Sequence, residues 1–286
     1  MSNRNVILIV FTVFFVITFG ACENQERTAD GEEMVQEVKV DLNKVEKEDY
    51  ILEIIGESQK LSDQYMASIL DWRVEALSFA KEYEHIYLNG RDEKMVALTF
   101  DDGPDNNVTP AVIEILEDYG VKGAFFFVGD NVETYASVVG DAYEKGHIIA
   151  SHSYHHVQLP QLSESEVAGQ VRMAEEAIER VIGKKPALFR NPYGDINEEV
   201  AAILDRNGYS VILWSIDSLD YGPEMEGDDI VDVVLDNVRN GDIILMHSDS
   251  SNSATVDALP TIIIGLQEKG FEIVDLETIL NINAYK

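Results

Sequence analysis

Residues 95–107 read MVALTFDDGPDNN. Met95 to Phe100 form a short apolar run, the pattern of a strand covered by helices. Asp101 and Asp102 follow at once, and Gly103-Pro104 then turns the chain. Two adjacent carboxylates at the mouth of an apolar strand repel each other and lose hydration. A divalent cation removes that conflict, because it inverts the local pKa logic. One Asp then binds the metal, and the other is free to take a proton from water beside it.

Outward from this stretch, strand-like runs alternate with amphipathic helical ones. The regime begins after the turn signal Asn89-Gly90. Thr109-Pro110 opens a helix that stops at Gly120. GAFFFVG (123–129) precedes a helix ending near Gly146. HIIAS (147–151) precedes Ser163-x-x-Glu166, a capping box, and a long helix that stops at Gly183. ALFRNPYG (187–194) leads to a helix from Asn197 to Gly208, and SVILWSID (210–217) to one across Ile230 to Val238. DIILMH (242–247) leads to one ending at Gly270, and EIVDL (272–276) and a short helix finish the chain. About seven β/α units in one direction predict a parallel α/β barrel or an open doubly wound sheet.

Polar outliers collect at one end of these strands. Asp101 and Asp102 close the first, and His152, His155 and His156 follow the third. Arg190 closes the fourth, Asp217 and Asp220 lie after the fifth, and His247 ends the sixth. In a parallel sheet all C-terminal strand ends share one face, where α/β enzymes build their sites. His152 and His156 are spaced i, i+4, which lets two imidazoles reach one metal. With Asp101 or Asp102 they make a three-ligand site that keeps positions open. Each residue also has a structural reading: Arg190 as an ion-pair residue, Asp217 and Asp220 as turn caps, His247 as a buried histidine, Tyr193 and Leu245 as core.

The chain has 286 residues, 45% hydrophobic and 26% charged, with 21 Lys plus Arg against 53 Asp plus Glu, a formal charge of −32. Such a charge excludes coating a nucleic-acid backbone or an anionic membrane surface. Arg4, an apolar run from Val6 to Phe19, and small residues Gly20 and Ala21 are the parts of an export signal over 1–21. The run is shorter than the ~20 residues of a spanning helix, so an uncleaved anchor is the second reading. Cys22, the only cysteine, follows two small residues and resembles the lipidated cysteine of a bacterial lipoprotein, although Phe19 stands where a smaller residue is usual. Residues 22–47 read as an acidic tether. Residues 48–88 read as an N-terminal helical segment, with Leu61, Tyr65, Ile69, Trp72 and Ala76 on one face. That segment, a packed element or a stalk, shows no sign of chemistry.

TFDDG, H-S-x-x-H, R-x-P-Y-G, D-x-x-D-Y and L-x-H, in that order, resemble the five motifs of the polysaccharide deacetylases, carbohydrate esterase family 4. The resemblance runs from about Asp92 to the C-terminus and assigns 89–286 to a catalytic domain. It implies a distorted parallel (β/α) barrel with about seven units, preceded by the N-terminal helical segment. It implies metal-dependent hydrolytic deacetylation of an N-acetylated polysaccharide. The export signal favours an envelope glycan, peptidoglycan first. By motif, Asp101 is the catalytic base, and Asp102, His152 and His156 hold a divalent metal, zinc first, with cobalt or manganese as alternatives. Arg190 orients the base, His247 is the general acid, and Asp220 orients and charges His247. Leu245 is a wall for the acetyl methyl group, and the backbone N–H near Tyr193 helps hold the oxyanion. Tyr221 stands where the family usually has Trp, which bears on substrate fit. The implied partners are the polysaccharide, no nucleic acid, and a membrane only through the lipid anchor or an uncleaved signal. Other readings are an O-acetyl esterase of the xylan type, an inactive carbohydrate-binding homologue, a non-haem iron oxygenase, and last a phosphoryl-transfer domain.

Overall fold

The computed structural model describes residues 50–286. The export signal, Cys22 and the acidic tether expected above lie outside the described residues. The described chain runs α1 (Asp63–Glu82), β1 (Ile86–Tyr87), β2 (Met95–Asp102), α2 (Val108–Asp118), β3 (Ala124–Phe127), α3 (Gly129–Thr134), α4 (Ala136–Glu144) and β4 (Ile148–Ser151). It continues with α5 (Glu164–Ile182), β5 (Leu188–Phe189), α6 (Glu198–Arg206), β6 (Ser210–Ile212), β7 (Ile216–Asp217), α7 (Gly227–Asn237), β8 (Ile243–His247), α8 (Ala254–Glu268), β9 (Glu272–Ile273) and α9 (Leu276–Leu280). Among the described residues no helix is long and apolar enough to cross a membrane.

The strands pair in the order β1-β6-β5-β4-β3-β2-β8-β7, with β9 beside the start of β2, and the named pairs are parallel. The short link between β6 and β7 makes this sheet curl. In a flat sheet β6 and β7 would lie about 29 Å apart, at ~4.8 Å per strand. Only Leu213, Trp214 and Ser215 join them, and that step reaches at most about 14 Å. The two ends of the sheet therefore meet, as in a barrel. SVILWSID, expected as one strand, is two: its first part pairs with β5 and its second with β8.

Alternation sorts the apolar residues into two layers. Met95 and Ala97 of β2, Phe126 of β3, Ala150 of β4, and Ile243 and Leu245 of β8 share the inner cluster. Val96, Leu98 and Phe100 of β2, with Phe125, Ile149, Ile244 and Met246, face the helices and join Val112 and Leu116 of α2. The helices obey the expected local rules. Ser163 and Glu166 form a capping box at the start of α5, and Gly183 ends it at φ 69°, a conformation that favours glycine.

Three local expectations change. One helix was expected before Gly146, and there are two, broken at Tyr135 (φ −118°, ψ 40°). β2 runs on through both aspartates instead of ending before them. The N-terminal helix starts at its cap Ser62, whose side chain accepts from Tyr65 N–H. The residues before it are extended: Ile55 N–H donates to Ser215 O at 3.0 Å, and Asp217 N–H donates to Ile55 O at 2.8 Å. Gly56 sits there at φ 148°, and a Cβ would lie 2.0 Å from the Asp217 carbonyl oxygen, so only glycine permits this approach.

Candidate active site

Strand register assembles the site. Asp101 is opposite His247 in β8, Phe127 is opposite Ser151, and Ser151 is opposite Phe189. His152 and Arg190 each follow the last residue of their strand, so they arrive at one level beside Asp101. Strict alternation turns Asp101 into the barrel and would turn Asp102 towards the helices. Asp102 has φ 72° instead, which breaks the alternation and lets both carboxylates reach the mouth. Asp101, Asp102, His152, His156, Leu245 and His247 all line one cavity of about 330 Å³.

Asp101 is 3% exposed and is fixed from one side. Arg190 Nη1 donates to its Oδ1 at 2.7 Å, and to Thr99 Oγ1 at 2.9 Å. Arg190 Nε donates to Ile212 O at 2.7 Å and Nη2 to Leu213 O at 2.9 Å. Its guanidinium lies 4.1 Å from the Phe126 ring centroid and 5.5 Å from that of Trp214. Burial pushes the Arg190 pKa down, while Asp101 pulls the other way.

Asp102, His152 and His156 present ligand atoms that all lie within 4.8 Å of one another. His152 Nδ1 is 2.7 Å from Arg190 O. A carbonyl only accepts, so Nδ1 carries the proton and Nε2 keeps its lone pair. Asp102 Oδ1 lies 3.4 Å from that Nε2 and 3.0 Å from His156 Nε2, yet it is buried with no hydrogen-bond partner. Burial alone would push the Asp102 carboxyl up; positive charge beside it, a proton on His152 and His156 or a cation in its place, outweighs burial and holds the pKa well below the usual range. An ionised carboxylate facing two imidazole nitrogens is the donor set of a divalent metal site. The residues fit such an ion. His155 turns away to Asp130 Oδ2, 3.2 Å from its Nδ1.

Across the cavity, His247 Nδ1 donates to Asp220 Oδ1 at 2.7 Å. Asp220 Oδ2 accepts from the His247 backbone N–H at 2.7 Å and from Thr255 Oγ1 at 2.6 Å. Burial alone would lower the His247 pKa. Asp220 dominates, Asp102 and Asp101 add to it, and the imidazole is lifted to about 10. Tyr221 packs edge-on against His247 at 5.3 Å, and Tyr193 lies tilted against His156 at 4.7 Å.

Asp217, the other carboxylate after the fifth strand, is engaged elsewhere. Arg73 Nη2 and the Tyr221 hydroxyl both donate to Asp217 Oδ2 at 3.0 Å. Burial pushes this carboxyl up, and Arg73 is the largest influence against it. Arg73 belongs to α1, where no chemistry was expected, and Ile69 and Trp72 of the same helix also line the cavity. One signal in the sequence pointed there. Ile69, Arg73, Ala76 and Ala80 are the buried face of α1, so a cation stands inside an apolar stripe and needs a buried partner. Trp214, another wall of the cavity, had no signal beyond its place near a strand end.

A family model described as polysaccharide deacetylase matches residues 89–212. A peptidoglycan-N-acetylglucosamine deacetylase of Bacillus cereus is 34% identical over 201 residues, covering 70% of this chain and 73% of that protein. The chain belongs to the polysaccharide deacetylase family. It is a hydrolase of N-acetyl amide bonds, in a family that uses a divalent metal. The deacetylase also resembles a crystal structure of a peptidoglycan N-acetylglucosamine deacetylase in complex with 4-naphthalen-1-yl-N-oxidanyl-benzamide. That match has TM-score 0.70 and 32% identity, and covers 73% of this chain and 98% of that one. A pseudoenzyme of carbohydrate esterase family 4 from Bacillus anthracis matches with TM-score 0.64 and 29% identity, over 68% of each chain. The barrel is thus shared with a relative described as a pseudoenzyme, so the chemistry of the deacetylase lies in the side chains at the mouth and not in the barrel itself.

Proposed function

We propose that this deacetylase removes acetyl groups from N-acetylglucosamine units of peptidoglycan, with zinc as its metal. The observation that carries the reading is the buried Asp101–Arg190 pair beside the Asp102, His152 and His156 cluster, with His247 lining the same cavity. The names of the Bacillus cereus relative and of the crystal structure supply the substrate. We further propose the division expected above: an export signal over 1–21, lipidation at Cys22, a tether over 22–47, a helical segment over 48–88 and a catalytic domain over 89–286. The enzyme then works at the outer face of the cell membrane.

Asp102, His152 and His156 would hold the cation, which supplies Lewis acidity and lowers the pKa of water. Asp101 accepts a proton from the attacking water through the oxygen that Arg190 leaves free. The water oxygen bonds to the acetyl carbon and the C–N bond breaks. His247 gives its Nε2 proton to the departing amine, and Asp220 balances its charge. The Tyr193 amide donates to the oxyanion, Leu245 takes the methyl group, and Tyr221 is the aromatic wall.

The test is acetate release from purified peptidoglycan, N-acetylglucosamine oligomers and acetylated xylan, each with Zn-loaded protein. Release from peptidoglycan should exceed the others, and Asp101→Asn should slow it on the order of 10³-fold. Release from acetylated xylan alone would make the protein an O-acetyl esterase. No release at all would place it with the pseudoenzymes.

A further inference from the structure

Trp72 projects from α1, N-terminal to the residues that the family model matches. It lines the catalytic cavity and also a second one of about 180 Å³, and Tyr193 is shared between them in the same way. Two aromatic rings therefore stand where the cavities meet. Tyr193 is 58% exposed, and Trp72 packs edge-on against Trp214 with centroids 5.3 Å apart. The second cavity is also lined by Glu75, Gln158 and Asp195. Its volume is below the ~300 Å³ of a typical small-molecule pocket, which suits one sugar ring.

That combination has a chemical meaning. A pyranose offers an apolar C–H face and a rim of hydroxyl donors. Aromatic rings take the face, and carboxylate or amide oxygens take the rim. The position of Trp72 is locked by its neighbour. Arg73 is buried, bridging Asp217 Oδ2 and Gly56 O, each at 3.0 Å. Gly194 at φ 68° lies beneath the two indoles: a Cβ there would come within 3.0 Å of Trp214 and 3.5 Å of Trp72. The backbone that carries Trp72 is therefore anchored before any ligand arrives, which lowers the cost of binding.

We propose that Trp72 is a specificity-determining residue, and that α1 adds a subsite in which the sugar unit adjoining the acetylated one stacks on its ring. The proposal rests on the deacetylase reading and extends it to a residue outside the matched segment. It is tested by binding, independently of turnover. The probe is the N-acetylglucosamine tetramer, titrated calorimetrically into the full chain carrying Asp101→Asn. Adding Trp72→Leu, which keeps apolar packing but removes the ring, should weaken Kd on the order of tenfold. Trp72→Phe, which keeps a stacking face, should stay within about threefold. In the otherwise native enzyme, Trp72→Leu should raise KM for the tetramer with kcat within about twofold. Equal Kd for the Leu and Phe variants, or a loss carried by kcat, would overturn the proposal. Absence of acetate release by the native enzyme, with the Phe-over-Leu ranking intact, would sink the functional reading and leave the subsite standing.

Discussion

Both oxygens of Asp220 are occupied by His247 and Thr255, and that is what sets the proton affinity of His247. Its pKa rises from 6.5 to about 10 because Asp220 outweighs burial. A cation on Asp102 offsets the smaller contribution of that carboxylate, so the loaded enzyme relies on Asp220 most. A general acid works only while protonated, so activity falls as pH rises through this pKa. Asp220→Asn should therefore move the alkaline limb of the kcat/KM profile down towards pH 6.5. An unmoved limb would mean that His247 is not the acid. The stability linkage has the same sign. A raised His pKa contributes fully below about 6.5 and is lost as pH climbs through about 10, so the variant should be weakened near pH 6 and match the parent above pH 10. Among residues, the motifs and their order were legible from one dimension. The motif order singled out Asp220 for His247; spacing alone did not, because Asp217 and Asp220 both lie within reach of a strand end and packing decides which carboxylate meets the imidazole.

At the scale of elements, α1 is held to the barrel by one buried ion pair. Arg73 and Asp217 are 5% and 0% exposed, at 3.0 Å. Removing one member leaves a buried charge without its partner, which typically costs about 3–5 kcal/mol, whereas replacing both with apolar residues is often near neutral. Arg73→Met should therefore lower the unfolding free energy in urea by about that amount, and Arg73→Met with Asp217→Leu should recover most of it. The double variant loses the acceptor of the Tyr221 hydroxyl as well, so a part of the loss should remain. No effect of Arg73→Met would show that α1 is anchored by its apolar face alone. The helices with strong local signals, such as α5 with its capping box and terminal Gly183, were readable in place. SVILWSID was not readable as two strands, since its apolar residues run on without a turn signal and the break is imposed by closure.

For the whole molecule, His147 couples folding to pH away from the active site. It is 2% exposed, and its Nδ1 accepts from Gly123 N–H at 3.2 Å. Burial, assisted by Lys122 and Lys145, lowers its pKa to about 4. A depressed His pKa stabilises the fold fully above about 6.5, and the contribution is lost as pH falls through about 4. The shift is equivalent to about 3 kcal/mol between pH 7 and pH 4. His147→Gln, which keeps an acceptor for Gly123, should lose about 3 kcal/mol less over that range, measured by urea unfolding at both pH values. An identical pH dependence in the variant would assign the acid sensitivity to other groups.

What the sequence determined by itself was chemical type and order. Apolar runs of strand length, helix caps, and polar residues after strands depend on near neighbours, so β/α alternation and the residues at one end of the sheet followed from spacing alone. Tertiary structure decided three things. It closed the barrel through residues 213–215, it turned Asp102 against the strand alternation, and it brought α1 to the cleft with Arg73 on Asp217 and Trp72 beside Tyr193. The closure and the docking of α1 are contacts between segments far apart in the chain, and the turn at Asp102 stands where β2 meets β3 and β8. No local propensity encodes such contacts, and only the shared geometry of the packed barrel selects them.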